Sequence, residues 1–168
     1  MFKQLFAAHA FHLKQPLPLA ETSTPAVQLL DVNIFSYQIR PTDQYLQEPV
    51  QIYQLEVGHD MQLAFNMEEE LMGVRLYLNV EGKDEHQQPL GINGYFGIEH
   101  ELAIDNLKRL VDEKTDGQYS LDPELGHAVM NIIYGTARGI VLEKTRGTIL
   151  GPTILPVVDP DDLLGQSG

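Results

Sequence analysis

Apolar and polar positions alternate with a period of two through most of the stretch from Val27 to Ile104, the pattern of strands that bury one face. Leu30, Val32 and Ile34 keep step, and Phe35 and Tyr37 follow less purely, which predicts a first long strand within Val27–Ile39. A second is expected over Val50–Val57, broken at Gly58-His59-Asp60. It resumes with Met61, Leu63, Phe65 and Met67 on one face and Gln62, Ala64, Asn66 and Glu68 on the other. Val74, Leu76, Leu78 and Val80 predict a third over Met72–Val80, closed by turn chemistry at Glu81-Gly82-Lys83-Asp84. Ile92, Tyr95, Phe96, Ile98 and Leu102 predict a fourth over Leu90–Ile104. The expected class is α+β, with a four-stranded antiparallel meander whose apolar face needs cover.

The period then lengthens. Asp105 is a cap candidate for a short helix carrying Leu107, Leu110 and Val111 and stopped by Asp116-Gly117. A longer helix follows, with Asp122 as N-cap, Pro123 at the first helical position and Glu124 complementing the dipole. Leu125, Val129, Ile132, Ile133, Ala137 and Ile140 form its apolar stripe, Lys144 and Arg146 lie in its last turn, and Gly147 is the expected C-cap glycine. Gly135 and Gly139 share one face of it. Each is unfavourable in a helix interior by about 1 kcal/mol relative to Ala, so that face is read either as tolerated variation or as a place where another backbone approaches, as between subunits.

Beyond the helix the chain is apolar, yet Pro152, Pro156 and Pro160 forbid a helix and break a central strand. Thr148–Pro160 is therefore expected to cross a surface as an extended segment that covers apolar area or exposes it. At the other end Phe6–Leu13 reads as a short strand and Gln15–Pro25 as an extended connector, so 1–26 is an N-terminal extension, while Gly165–Gly168 is expected to fray.

The chain has 168 residues and a net charge of −13, which argues against general nucleic-acid binding and favours basic partners. It contains no cysteine, which removes disulfides, thiolate nucleophiles and Cys-based zinc sites. The start is too short in its apolar run for a signal peptide, and no stretch approaches the ~20 apolar residues of a membrane span, so the expected location is cytoplasmic. Candidate chemistry is sparse. His9 and His12 lack a nearby carboxylate, and alternation aims Glu99 and Glu101 at the face opposite His100. The glycines of Gly91-Ile92-Asn93-Gly94-Tyr95-Phe96-Gly97 do not have nucleotide-loop spacing and mark a bulge or bend instead. Glu68-Glu69-Glu70 reads as a solvated turn or as a docking patch for a basic partner. No enzyme, metal or cofactor is indicated.

Three blocks near the end carry a resemblance. Tyr134-Gly135-Thr136-Ala137-Arg138, Arg146-Gly147-Thr148 and Ile154-Leu155-Pro156-Val157-Val158-Asp159-Pro160-Asp161-Asp162-Leu163-Leu164 resemble the end of the SecB protein-export chaperones. Gly94-Tyr95-Phe96-Gly97-Ile98 resembles the family's fourth strand and Leu30-Asp31-Val32-Asn33 its first, so the likeness spans 27–164. It implies a four-stranded sheet backed by the long helix, in a homotetramer built as a dimer of dimers, with Gly135 and Gly139 at the helix interface. It implies a groove for unfolded polypeptides lined by Ile149, Leu150, Ile154, Leu155 and Val157 over Phe96 and Ile98. In the family an acidic sheet surface docks the translocase motor SecA. Asp31 matches that surface, whereas Phe35 stands where a Glu is expected. The Arg138-to-Arg146 spacing is one residue short, the C-terminal helix is almost missing, and Asp105–Gln118 is an insertion. The functional expectation is an ATP-independent holdase that binds extended chains, in export or another pathway. A non-catalytic adaptor or a small-ligand binder of the same fold is the alternative.

Overall fold

The computed structural model describes residues 25–113 and 119–160. Strands β1 (Val27–Pro41), β2 (Gln54–Asn66), β3 (Leu71–Lys83) and β4 (Pro89–Ile104) form one antiparallel sheet in the order β1-β4-β3-β2. A short helix α1 (Asp43–Gln47) lies between β1 and β2. A single turn α2 (Leu107–Leu110) and a small ribbon of β5 (Val111–Glu113) and β6 (Tyr119–Leu121) lead into the long helix α3 (Pro123–Thr145). The strand expected at Phe6–Leu13, most of the Gln15–Pro25 connector, the Asp116-Gly117 stop and the segment after Pro160 lie outside the described residues.

Strands β2, β3 and β4 follow one another as a meander. β1 instead pairs with β4, from Val27 opposite Ile104 to Pro41 opposite Ile92. The connection makes this possible by running across one end of the sheet. The Thr42 amide donates to the Gly91 carbonyl at 2.7 Å, and the Tyr53 amide donates to the Lys83 carbonyl at 3.0 Å.

Two sequence expectations change. Gly58-His59-Asp60 does not interrupt β2: Gly58 pairs with Asn79 and His59 with Leu78, so one strand runs through. The short helix starts after Asn106, which has φ 61°, and not at Asp105; it ends at Leu110, and Val111 already belongs to β5.

One face of the sheet is the core. Met72, Val74, Leu76, Leu78 and Val80 of β3 and Ile92, Phe96, Ile98, Leu102 and Ile104 of β4 are buried against α3. Asp122 caps that helix, its carboxylate accepting from the Glu124 and Leu125 amides at 2.9 and 3.3 Å. The buried stripe holds Leu125, Val129, Ile133 and Ala137 as expected. It also takes in Met130, Tyr134 and Val141, while Ile132 and Ile140 are only half-buried.

Among the described residues the opposite face carries no helix. Register shifts between Leu29 and Asp31, and between Ile34 and Ser36, mark two bulges in β1. At the second, which follows Ile34, Phe35 and Ser36 both fall on the open face and Tyr37 returns to the core side, where its hydroxyl donates to the Lys144 carbonyl at 2.8 Å. This explains why the alternation blurs there.

Candidate functional site

Where α3 ends, two glycines reverse the chain. Gly147 and Gly151 have φ of 73° and 71°, a region that side chains disfavour. The Thr148 amide donates to the Thr145 carbonyl, and the Gly151 amide to the Thr148 carbonyl. The returning strap, residues 148–160, is pinned to the helix it has just left. The buried Thr145 hydroxyl donates to the Val141 carbonyl and accepts from the Thr153 amide, both at 2.8 Å. Seven residues earlier on α3, the Arg138 Nε donates to the Leu155 carbonyl at 3.1 Å. The strap therefore runs antiparallel to α3. Val157, Val158 and Pro160 close a small cavity of about 90 Å³ against Met130, Asn131, Tyr134, Gly135 and Arg138.

This pinning sorts the strap into two sets. Leu150, Thr153 and Leu155 turn inward and are buried. Leu150 reaches β4 at Gly94, where a Cβ would stand 3.0 Å from its Cδ2. Ile149, Ile154 and Val157 turn outward, and they are 49%, 68% and 82% exposed. Of the seven residues expected to line a groove, Phe96, Ile98, Leu150 and Leu155 belong to the core, and these three present apolar surface to solvent.

Sequence reading missed a second apolar set. Leu46, Val50 and Tyr53, on α1 and the segment after it, are exposed. This segment closes around the same end of β4 as the strap, with Thr42 against Gly91 and Leu150 against Gly94. Val50 and Tyr53 fall in the first half of the strand expected over Val50–Val57, but β2 begins only at Gln54; the Thr42 side chain, which accepts from the Tyr45 amide at 3.3 Å, caps α1.

On the open face, Asp31 sits opposite Glu101 in the β1–β4 register, with Glu99 two residues along. Burial, then Asp31, Glu99 and Glu69, hold the Glu101 carboxyl above its ordinary range. Glu99 pairs with Arg75. Glu68-Glu69-Glu70 forms the β2–β3 turn, where the Asn66 side-chain oxygen accepts from the Glu68 and Glu69 amides at 3.2 Å. Gly135 and Gly139 are exposed, and nothing in the described chain comes within 4 Å of a Cβ built on either.

Among the described residues no group of three His, Asp or Glu side chains could hold a metal ion, and no helix is long and apolar enough to cross a membrane.

A sheet of order β1-β4-β3-β2, backed on one face by a long helix, defines a SecB-like α+β fold. Among solved structures the chain is similar to a SecB-like chaperone of Mycobacterium tuberculosis, determined in complex with a ChAD peptide from the HigA1 antitoxin. The TM-score is 0.50 at 14% identity, over 79% of this chain and 90% of that one. It is also similar to a protein of unknown function from Streptococcus agalactiae, with a TM-score of 0.45 at 14% identity, over 80% of this chain and 100% of that one. At such identity the likeness is one of fold. No protein-family model matches the chain, and no curated protein matches it in sequence.

Proposed function

We propose that the protein is an ATP-independent holdase that takes extended or unfolded polypeptides on the outward side of the strap. One observation carries this reading: Ile149, Ile154 and Val157 are held apart from the core by a backbone that is itself fixed to α3. An apolar surface held open in this way suits many sequences, because burial is non-directional and scales with area. Among the described residues β2, from Gln54 to Asn66, pairs on one side alone, and its other edge offers main-chain hydrogen bonds to an extended client. The bound peptide in the M. tuberculosis SecB-like chaperone supports polypeptides as the ligand class. Export through SecA is not part of the proposal, since the centre of the open sheet face is aromatic where the family's motor surface is acidic.

The test is light scattering of a chemically denatured client, with several-fold excess of the protein and no ATP. Wild type should slow aggregation, and Ile154→Ser with Val157→Ser should lose most of that effect. Fold stability should change by less than about 0.5 kcal/mol, as for exposed substitutions generally. Scattering equal with and without wild-type protein would defeat the proposal.

Assembly is proposed through the α3 face that carries Gly135 and Gly139. Glycine there lowers helix stability by about 1 kcal/mol per residue relative to Ala, and no contact within the described chain offsets this. Gly135→Leu with Gly139→Leu should therefore raise helix content yet reduce the particle mass in sizing with multi-angle scattering. A wild-type mass of 18.9 kDa, that of one chain, would remove the basis for the interface.

A further inference from the structure

The open face of the sheet holds a trough of about 520 Å³ that the holdase reading does not use. Phe35 from the β1 bulge, Tyr77 from β3 and Tyr95 from β4 bring aromatic rings to its wall, and Gly58, with nothing within 4 Å of a Cβ built on it, leaves part of its floor open. The bulge and Gly97 act together. Phe35 lies so close over Gly97 that a Cβ there would be 2.6 Å from the ring, and its ring meets Tyr77 edge-on at 5.5 Å between centroids.

Asp60 is the sole formally charged residue lining the trough. Around it the face carries Asp31, Glu56, Asp60, Glu81, Glu99 and Glu101 against Arg40, Arg75 and Lys83. Arg75 is paired with Glu99, and Lys83 with Glu56 and Glu81. Asp31, Asp60 and Glu101 are left without a basic ion-pair partner among the described residues. The rings already take cations from their own chain: the Arg75 guanidinium lies 5.6 Å from the Phe35 centroid, and that of Arg40 lies 5.7 Å from the Tyr95 centroid.

We infer that this trough is a second polypeptide contact, one that binds an extended stretch bearing an arginine or lysine side chain. The rings supply quadrupole attraction and stacking area to the cation and its stem, and Asp60 supplies the countercharge. The volume exceeds one side chain and suits a few residues of extended chain. A client would thus meet apolar selection at the strap and charge selection here, which favours basic segments over acidic ones.

The test is NMR titration of isotope-labelled wild-type protein with an acetylated, amidated Gly-Ser-Arg-Ser-Gly peptide and its counterpart with glutamine in place of arginine. The Gly58 and Gly97 amides are the reporters. The arginine peptide should bind about tenfold more tightly than the glutamine one, and Asp60→Asn or Tyr95→Leu should each weaken it about tenfold. Added salt should weaken it further. Ile154→Ser with Val157→Ser should leave these shifts unchanged, so the trough can fail while the strap stands, and the reverse. Equal affinity for the two peptides, or shifts centred on the strap, would overturn the inference. Arginine amide binding as tightly as the peptide would overturn the assignment to polypeptide.

Discussion

Leu155→Ala should lower the stability of the protein by about 3 kcal/mol, whereas Ile154→Ala, one residue earlier, should change it by less than about 0.5 kcal/mol. Both residues are β-accessible aliphatics in the same proline-bounded strap, and composition does not separate them. Their direction does. Leu155 is fully buried in the core that α3 shares with the sheet, and its carbonyl accepts from Arg138. Truncation removes the Cγ methine and both Cδ methyls from a packed site and leaves a cavity that the pinned backbone cannot close. Ile154 loses apolar surface that is already two-thirds in water. Urea unfolding monitored by circular dichroism measures both changes. Equal losses at the two positions would mean that the strap is not held in this register, and the outward set proposed to bind clients would lose its physical basis.

The same strap shows where sequence reasoning reached its limit. Its three prolines and its apolar content mark an extended, surface-crossing segment, and in the structure residues 153–159 belong to no helix or strand. Which residues face in depends on the two reversals at Gly147 and Gly151 and on the Thr145–Thr153 and Arg138–Leu155 hydrogen bonds, all of which are long-range facts. The sheet divides likewise. Alternation in Met72–Val80 identifies β3 and its buried face, because the period of two is a local property. It cannot say which strand lies beside which, so the pairing of β1 with β4 was hidden. Alternation about His100 correctly turns Glu99 and Glu101 away from the core, yet their meeting with Asp31 depends on that hidden pairing. The aromatic trough was harder still. Phe35 reads as a blemish in the pattern, and its place over Gly97 depends on the hidden β1–β4 register.

Between pH 7 and pH 5.5 the wild-type protein should lose about 1 kcal/mol of stability through one side chain, His100, and His100→Leu should abolish that loss. His100 lies on the core face between Val32 and Val74 in the sheet register and is fully buried. Neither ring nitrogen has a hydrogen-bond partner of good geometry among the described residues. Among the described residues the other buried polar side chains of the core are Thr145 and Thr153, and burial moves the Tyr134 phenol further above its ordinary range, so no buried carboxylate there answers an imidazolium. Burial accordingly lowers the His100 pKa from 6.5 to about 4, opposed only by the Val74 backbone. The unfolded chain takes up a proton as pH falls through 6.5, and the folded protein does not until about 4. Stability is therefore complete above 6.5 and declines by about 1.4 kcal/mol per pH unit below it, reaching about 3 kcal/mol over the whole window. Measurement from pH 7 to 5.5 stays clear of the isoelectric point near 4.7, where low net charge promotes precipitation. Glu101 acts in the opposite sense, since its raised pKa makes the folded state bind protons first, but it is common to both proteins and cancels in their difference. His100→Leu should also be more stable at pH 7, because a buried imidazole without partners forfeits its hydration. Parallel pH profiles for the two proteins would show that the imidazole is charged, or solvated, within the fold.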